Sequence, residues 1–417
     1  MIGKETQMDD RPRNLREMLA EAKDSSELMV DLAYAALYFG DPEMAGEVVS
    51  IEETLSDLVH DMRGVCIMAV RNPRESDGMS SVLQVISAIE RIANDAVDIA
   101  RIVTHNVGIP VELVAQLSAA EEISHRVLVN EGSLLAHRPL ADHELPVQTG
   151  MRVMAVRRER RWLTDVDGDL VIVPGDALFL RGSPDGIGPL RELAGAERWM
   201  PPHLSDGPFA SDLDRAVDVL VEMKNLSEVA VGLAYSALVL GDRGLAAEVR
   251  QLEDRLDEMK DRLELWVLRA ASGNPDPSPL RGLLHLSQAA EDIGDQAQAM
   301  VWLIEQQEDV HPILGIALGD SNDVVVRLPV APGCDADGQS LSDLQLNIEP
   351  GFTVLAIRRG GRYLYRPQGH TRLQPEDELI ASGPDEGREM LALRCGWRLL
   401  DAGGDAQMEL EPVQATT

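Results

Sequence analysis

Displaced by 201 residues, the chain lies on itself without a gap over nearly its whole length. Leu32-Ala33-Tyr34 falls on Leu233-Ala234-Tyr235, Gly40-Asp41 on Gly241-Asp242, Glu90 on Glu291, Gly150 on Gly351 and Pro174 on Pro375. Between 29–64 and 230–265 there are 13 identities in 36 positions, and between 150–183 and 351–384 there are 12 in 34. One register throughout means a tandem duplication, and a long internal period fixes the unit that folds. Each unit holds two unlike parts, helical first and strand-rich second.

In the helical part, three helices are predicted at about 14–39, 43–71 and 79–106, with partners at 212–240, 244–271 and 279–307. Turn chemistry separates them at Gly40-Asp41-Pro42, Asn72-Pro73, Gly241-Asp242 and Gly273-Asn274-Pro275. Leu245, Val249, Leu252, Leu256, Met259, Leu263 and Trp266 recur at spacings of four and three, as a helix–helix seam requires. Long helices joined by short turns make an antiparallel three-helix bundle.

The strand-rich parts, Ser124 to Ala194 and Val325 to about Leu393, alternate short β-branched runs with turns. Strands are predicted at 153–156, 162–163 and 178–180, and in the second copy at 324–326, 354–357, 363–365 and 379–381, each set followed by a closing helix. Strands and helices of these lengths make a small α/β module. The boundaries expected are 14–107 and 212–308 for the helical units, and 124–195 and 324–394 for the modules.

Acidic residues outnumber basic ones 71 to 38, leaving a net charge of −33, and only four of the basic residues are lysine (Lys4, Lys23, Lys224 and Lys260). Such a balance argues against nucleic acid as a partner. The acid excess is read as adaptation to a salt-rich cytoplasm, with an ordinary acidic cytosolic protein as the alternative. The polar start of the chain is no signal peptide, and the longest apolar run, Val229 to Gly241, is too short to cross a bilayer. A cytoplasmic protein without membrane insertion is expected. Cys66, Cys334 and Cys395 are far apart in sequence and make neither a metal spacing nor an even disulfide set. His60 and His285 lie near acids on helices, but neither recurs in the other copy. No dinucleotide fingerprint, phosphate-binding glycine loop, nucleophile elbow or zinc-protease helix occurs, so no enzyme is expected.

Two clusters carry candidate chemistry. Glu253 with Asp257 and Glu291 with Asp295 place acids at i, i+4 on neighbouring helices, a donor set for a divalent cation or an ordinary solvated face. Like charges at that spacing cost a little helix stability, which a cation would relieve. The first copy keeps only Glu52 and Glu90, with Ser56 and Asn94 at the other two positions. Arg157, Arg158, Arg160 and Arg161 cluster in an acidic chain, echoed by Arg358, Arg359 and Arg362. Arginine forks suit phosphate oxygens, although the same forks also pair with carboxylates at domain contacts.

The strings LEDRLD at 252–257 and EDIGDQ at 291–296 resemble the acidic motifs of the PhoU family, whose three-helix repeats bind metal clusters in some members. The strings AVRR at 155–158 with PGDALFLRGSPDG at 174–186, and AIRRGGR at 356–362 with PEDELIASGPDE at 375–386, resemble the RCK C-terminal (TrkA-C) module of potassium-transport regulators. Together the two resemblances cover about 20–393. They imply PhoU-like three-helix units alternating with small RCK C-terminal-like modules, and regulation of cation transport, foremost potassium, through a membrane transporter or channel. They also imply an intrachain pseudo-dimer of modules, with a homodimer open. Metal-dependent regulation of phosphate uptake is the alternative. Relatives that bind cyclic di-AMP place Arg four residues before the glycine and Asn two after it. Here Pro146 and Asn347 hold the first position, and Arg152 and Thr353 the second. Cyclic di-AMP or another nucleotide is therefore an option, with Arg152 added to the candidate anion-binding arginines.

Overall fold

A computed structural model describes residues 14–71, 75–117, 122–159, 161–164, 166–198, 211–272, 276–305, 310–319, 321–400 and 410–413. The first half runs α1 (Leu15–Phe39), α2 (Pro42–Ala69), α3 (Glu75–Thr104), α4 (Val111–Leu117), β1 (Ile123–Leu128), α5 (Leu145–Thr149), β2 (Met151–Arg158), β3 (Arg161–Leu163), β4 (Ala177–Gly182) and α6 (Ile187–Leu193). The second half runs α7 (Asp212–Leu240), α8 (Arg243–Ser272), α9 (Leu280–Glu305), α10 (Pro312–Gly319), β5 (Asp323–Pro329), α11 (Leu341–Leu344), β6 (Thr353–Arg359), β7 (Arg362–Tyr365), β8 (Glu378–Pro384) and α12 (Arg388–Arg394). A short ribbon of β9 (Trp397–Leu399) and β10 (Leu410–Pro412) follows. The predicted turns at Asn72-Pro73 and Gly273-Asn274-Pro275 lie outside the described residues.

A Gly-Asp pair makes the first bend of each copy. Gly40 and Gly241 each take φ near 59°, a left-handed conformation that costs a glycine nothing and ends the helix. The aspartate that follows caps the next helix. Asp41 accepts from the Glu43 and Met44 amides, and Asp242 from those of Gly244 and Leu245. The predicted apolar seam of α8 is buried from Leu245 through Leu263, where Gly294 of α9 lets Leu256 press in.

Each bundle packs its three helices together, and α3 packs against α9 across the two copies. The result is one continuous apolar core under both bundles. Two short connecting helices, not anticipated from the sequence, cross between copies: α4 packs on α7, and α10 on α1 and α7.

Both sheets have the same strand order, β1-β4-β2-β3 and β5-β8-β6-β7, with antiparallel pairing throughout. Both break register at the same place, between Val153 and Ala155 and between Val354 and Ala356. A bulge puts two residues opposite one. It lets adjacent Met154 and Ala155 both face the helical core, while Val153 and Val156 face the module's own core. Leu355 and Ala356 repeat the device, flanked by Val354 and Ile357.

The two modules meet through α5 of the first and the 345–351 turn of the second. A Cβ on Gly150 would stand 2.0 Å from the Asn347 carbonyl oxygen, and one on Gly351 2.2 Å from that of Pro146. The Asn347 amide donates to Ser183 Oγ at 3.0 Å. Gly150 also sits at φ 63°. Gly150→Ala is therefore expected to lower unfolding free energy by more than about 2 kcal/mol, from left-handed strain plus a backbone clash. Urea unfolding measures it, and a loss below about 0.5 kcal/mol would show that the modules are not held this tightly.

Cys334 and Cys395, distant in sequence, are neighbours around Gly396. Burial, then the nearby Cys334 thiol, pushes the Cys395 thiol up to about 12. Cys66, Cys334 and Cys395 are all free. Among the described residues, no helix is long and apolar enough to cross a membrane.

Candidate functional site

The arginine hairpins are placed by the β2–β3 and β6–β7 pairings, which set Arg158 opposite Arg161 and Arg359 opposite Arg362. Arg158 donates through Nε and Nη2 to buried Asp176, both at 2.8 Å, and to the Val171 carbonyl. Arg359 repeats this with Asp377 at 2.7 and 2.6 Å and the Arg372 carbonyl. Each aspartate also accepts a backbone amide, from Val173 or Gln374. These forks fasten the loop before the last strand of each sheet.

Arg157 reaches out of its module to Asp41 and Glu43, both at 3.4 Å, and lies over the Trp162 ring. Arg358 pairs with Glu378 at 2.8 Å, and Arg152 with Asp323 at 2.7 Å. Arg161 and Arg362 are exposed on the outer strands, and Arg160 lies outside the described residues. A surface groove of about 370 Å³ beside Arg358 and Arg359 is also lined by Glu376, Asp377 and Glu378. Its acids offset its arginines. Among the described residues of these hairpins, the exposed positive charge therefore rests with Arg161 and Arg362.

The acidic residues on α8 and α9 come together as two pairs. Asp295 stands beside Glu253, and Asp257 beside Glu291. Burial, then the charges of Asp257 and Asp295, pushes the Glu253 carboxyl up to about 7. Burial first, then Asp257 and Asp292, raises Asp295 as well. Asp295 is half-buried on α9, which packs against both α8 and α3.

A lysine ammonium stands where a cation would: Lys260 donates to Glu291 at 3.0 Å. In the first copy Arg63 does the same for Glu90, at 2.5 Å. Among the described residues, no group of three or more His, Cys, Asp or Glu is arranged to hold a metal ion. Glu253, Asp257, Glu291 and Asp295 supply the donor type, but a divalent ion would have to displace Lys260.

A third constellation was not singled out from the sequence. Lys23 and Lys224, two of the four lysines, fall on each other under the 201-residue shift, and both are buried. Lys23 donates to Glu27 at 2.9 Å and lies over the ring of Tyr235 in the other copy, 5.1 Å from its centroid. Lys224 pairs with Glu228 at 2.7 Å and lies over Tyr34, at 5.3 Å. A cation over an aromatic face is attracted by the ring quadrupole, so each repeat completes the other.

Two cross-strand arginines of the first module, Arg152 and Arg181, reach into the same seam. Arg181 holds Asp31 at 2.7 and 2.8 Å, and Glu122 at 2.5 Å. Burial lifts Asp31 to about 7 even with Arg181 opposing, and Asp24 to about 6 against Lys23. Burial also works against the Asp323 carboxylate, but Arg152, Lys23 and Arg181 together hold that group below the usual range. Bundles and modules thus meet across a seam of six carboxylates and four cations: Asp24, Glu27, Asp31, Glu122, Glu228 and Asp323 against Lys23, Lys224, Arg152 and Arg181.

Helical bundles alternating with small antiparallel sheet modules, joined by such a seam, define a modular protein of repeated α and α/β parts. Family models make the parts specific. The PhoU domain matches residues 19–103 and 220–302, and the TrkA-C domain matches residues 125–195 and 325–396. The chain is built of two PhoU domains and two TrkA-C domains in alternation.

A phosphate-specific transport system accessory protein PhoU homolog of Pseudomonas putida is 28% identical over 155 residues, covering 35% of this chain and 59% of its own length. Sodium/sulfate cotransporter 2 of Chlamydomonas reinhardtii is 29% identical over 89 residues, 21% of this chain and 10% of its own. The chain thus spans less than two thirds of the length of these curated relatives. The crystal structure of PhoU from Pseudomonas aeruginosa aligns with 70% of this chain and 93% of its own, at 15% identity and a TM-score of 0.39.

Proposed function

We propose that this chain is a non-catalytic, cytoplasmic regulator of cation transport, foremost of potassium, acting through contact with a membrane transporter or channel. The observation that carries the reading is the alternation of TrkA-C and PhoU domains in one chain, with each module tied to a bundle through the cap of a helix. Asp41 caps α2 and binds Arg157, while Asp242 caps α8 and binds both Arg327 and the Tyr363 hydroxyl. A ligand that shifts the paired modules would pull on these caps and on the seam, biasing the bundles between arrangements. The ligand envisaged is an anion such as cyclic di-AMP or an adenine nucleotide, met by the exposed Arg161 and Arg362.

A second reading, metal-dependent regulation of phosphate uptake, draws on the phosphate-transport accessory relatives and on the carboxylate pairs of α8 and α9. Uptake of radioactive rubidium and of radioactive phosphate in cells lacking the chain separates the two. Changed rubidium uptake with unchanged phosphate uptake is expected, and the reverse pattern assigns the second reading. Calorimetry in concentrated KCl tests the ligand, with heat expected from one of these nucleotides and lost in the Arg161→Ala, Arg362→Ala double variant. No heat from any of them removes the nucleotide from the proposal.

A further inference from the structure

Cys334 and Cys395 meet at one corner of the second module. The 331–336 turn wraps the end of α12: the Ala331 amide donates to the Cys395 carbonyl at 3.0 Å, and the Ala336 amide to that of Arg394 at 3.1 Å. Cys334 lies in this turn, where a Cβ on Gly396 would stand 2.9 Å from the Cys334 Cβ. Cys395 is buried in the module's core, and Cys334 is partly exposed at its edge.

The first module folds without the pair. Under the 201-residue shift, Ser133 takes the place of Cys334 and Ala194 that of Cys395. The same turn closes there, with the Asn130 amide on the Ala194 carbonyl at 3.2 Å. Ser133 Oγ reaches the Leu193 carbonyl, one residue before Ala194, at 2.9 Å. A side chain at this turn position thus meets the backbone just before its counterpart in one module and just after it in the other, the proximity that a disulfide requires.

The neighbouring residue gives the corner a consequence. Arg394 donates to the Leu344 carbonyl at 3.1 Å and to Glu349 at 2.7 Å, so the end of α12 holds the 345–351 turn. That turn is the second module's contact with the first, where Asn347 meets Gly150 and Ser183.

We propose that Cys334 and Cys395 form a reversible dithiol–disulfide site, oxidised by peroxide and coupled through Arg394 to the contact between the modules. Cys334, the partly exposed thiol, reacts first. As the thiolate it attacks one oxygen of hydrogen peroxide, the O–O bond breaks and hydroxide leaves, which makes a sulfenic acid. Cys395 then attacks that sulfur; the S–S bond forms, the S–O bond breaks, and the oxygen departs as water with the Cys395 proton. In sum, two thiols and one peroxide give a disulfide and two waters. Burial, then the nearby Cys334 thiol, raises Cys395, so it keeps its proton until this second step. The bridge draws Cys395 toward Cys334 and turns the end of α12 about Gly396, whose φ of 88° places it in the left-handed region. The hold of Arg394 on the 345–351 turn slackens as a result. In a reducing compartment such a bond is transient, as a redox sensor requires.

The inference stands apart from the transport reading, since it is read on the isolated full-length chain. The protein is treated with a small excess of hydrogen peroxide at pH 8, and its remaining thiols are then alkylated under denaturing conditions. Peptide mapping is expected to find Cys66 alkylated and a cross-link between Cys334 and Cys395 that dithiothreitol reverses. Cys334→Ser and Cys395→Ala, which install the first module's own residues, should keep the fold and give no cross-link. Hydrogen exchange of the Ile348 and Glu349 amides, both bonded to the Gln345 carbonyl, should quicken by about fivefold or more in the cross-linked chain. Peroxide-treated Cys395→Ala should show no such change. Absence of the cross-link, a cross-link that survives either substitution, or exchange that the cross-link leaves unaltered would each overturn the proposal.

Discussion

Replacing Lys224 with Met is expected to lower the unfolding free energy by about 3–5 kcal/mol, the range for breaking a buried ion pair from one side. Its side chain is 8% exposed and that of Glu228 18%, so deletion strands a carboxylate where water reaches it poorly. The Tyr34 face loses its cation in the same step. Lys23→Met should behave alike, because Lys23 is 3% exposed and covers Tyr235. Adding Glu228→Gln to Lys224→Met should recover much of the loss, since the stranded charge rather than the missing attraction is the larger cost. Urea unfolding at fixed KCl reads all three variants. A loss below about 1 kcal/mol for both lysines would mean that the seam is hydrated and weakly coupled.

Between pH 6.5 and 8.5, at constant salt, stability is expected to fall by a few kcal/mol. A proton held by the folded chain but not the unfolded one changes stability by about 1.4 kcal/mol for each step of one in pH. Three acids set the slope. Burial, then the charges of Asp292, Asp98 and Asp295, lifts Asp95 of α3 to about 8, with Arg91 opposing. Asp31 and Glu253 lie at about 7. Unfolded, all three titrate near 4, so across this window the folded chain holds protons that the unfolded chain has released. Their stabilisation is complete below the unfolded value and is lost as pH rises through 7 and 8.

His125 works in the opposite direction, because burial, then Arg191 and Arg126, depresses it to about 4. Its effect is finished above the unfolded histidine value of about 6.5, which is why the window opens there. Asp95→Asn should flatten the profile above pH 7. A curve that is level across the window in the native chain would show that these acids are better solvated than their positions imply.

Much of this architecture was legible. The 201-residue shift and the Gly-Asp bends located the bundles, and the Arg-Arg hairpins located the modules. The bulges were hidden, because Met154-Ala155 and Leu355-Ala356 sit inside continuous apolar runs that hide a broken alternation. The connecting helices α4 and α10 are seven and eight residues long, too short for a helical period to emerge. The arginine clusters were visible, but their partners come from other elements: Asp176 and Asp377 from the loops before the last strands, and Asp41 from a helix cap. For the seam, the signal was present and misleading. Lysine with glutamate four residues on is the ordinary mark of a solvated helix face, and only the second copy packing alongside buries it. The informative clue was the coincidence of two rare lysines under the shift.

The exchange of cations between copies has a consequence for how this chain can vary. Tyr34 is matched by Lys224, and Tyr235 by Lys23, so a substitution in either half is judged by a residue in the other. A half-length chain would carry a bare tyrosine face and an unmatched ammonium, complementary only to a second half-length chain. The two halves remain free to diverge on their outer surfaces, as the unequal arginines and acids show, but along the shared seam they are obliged to change together.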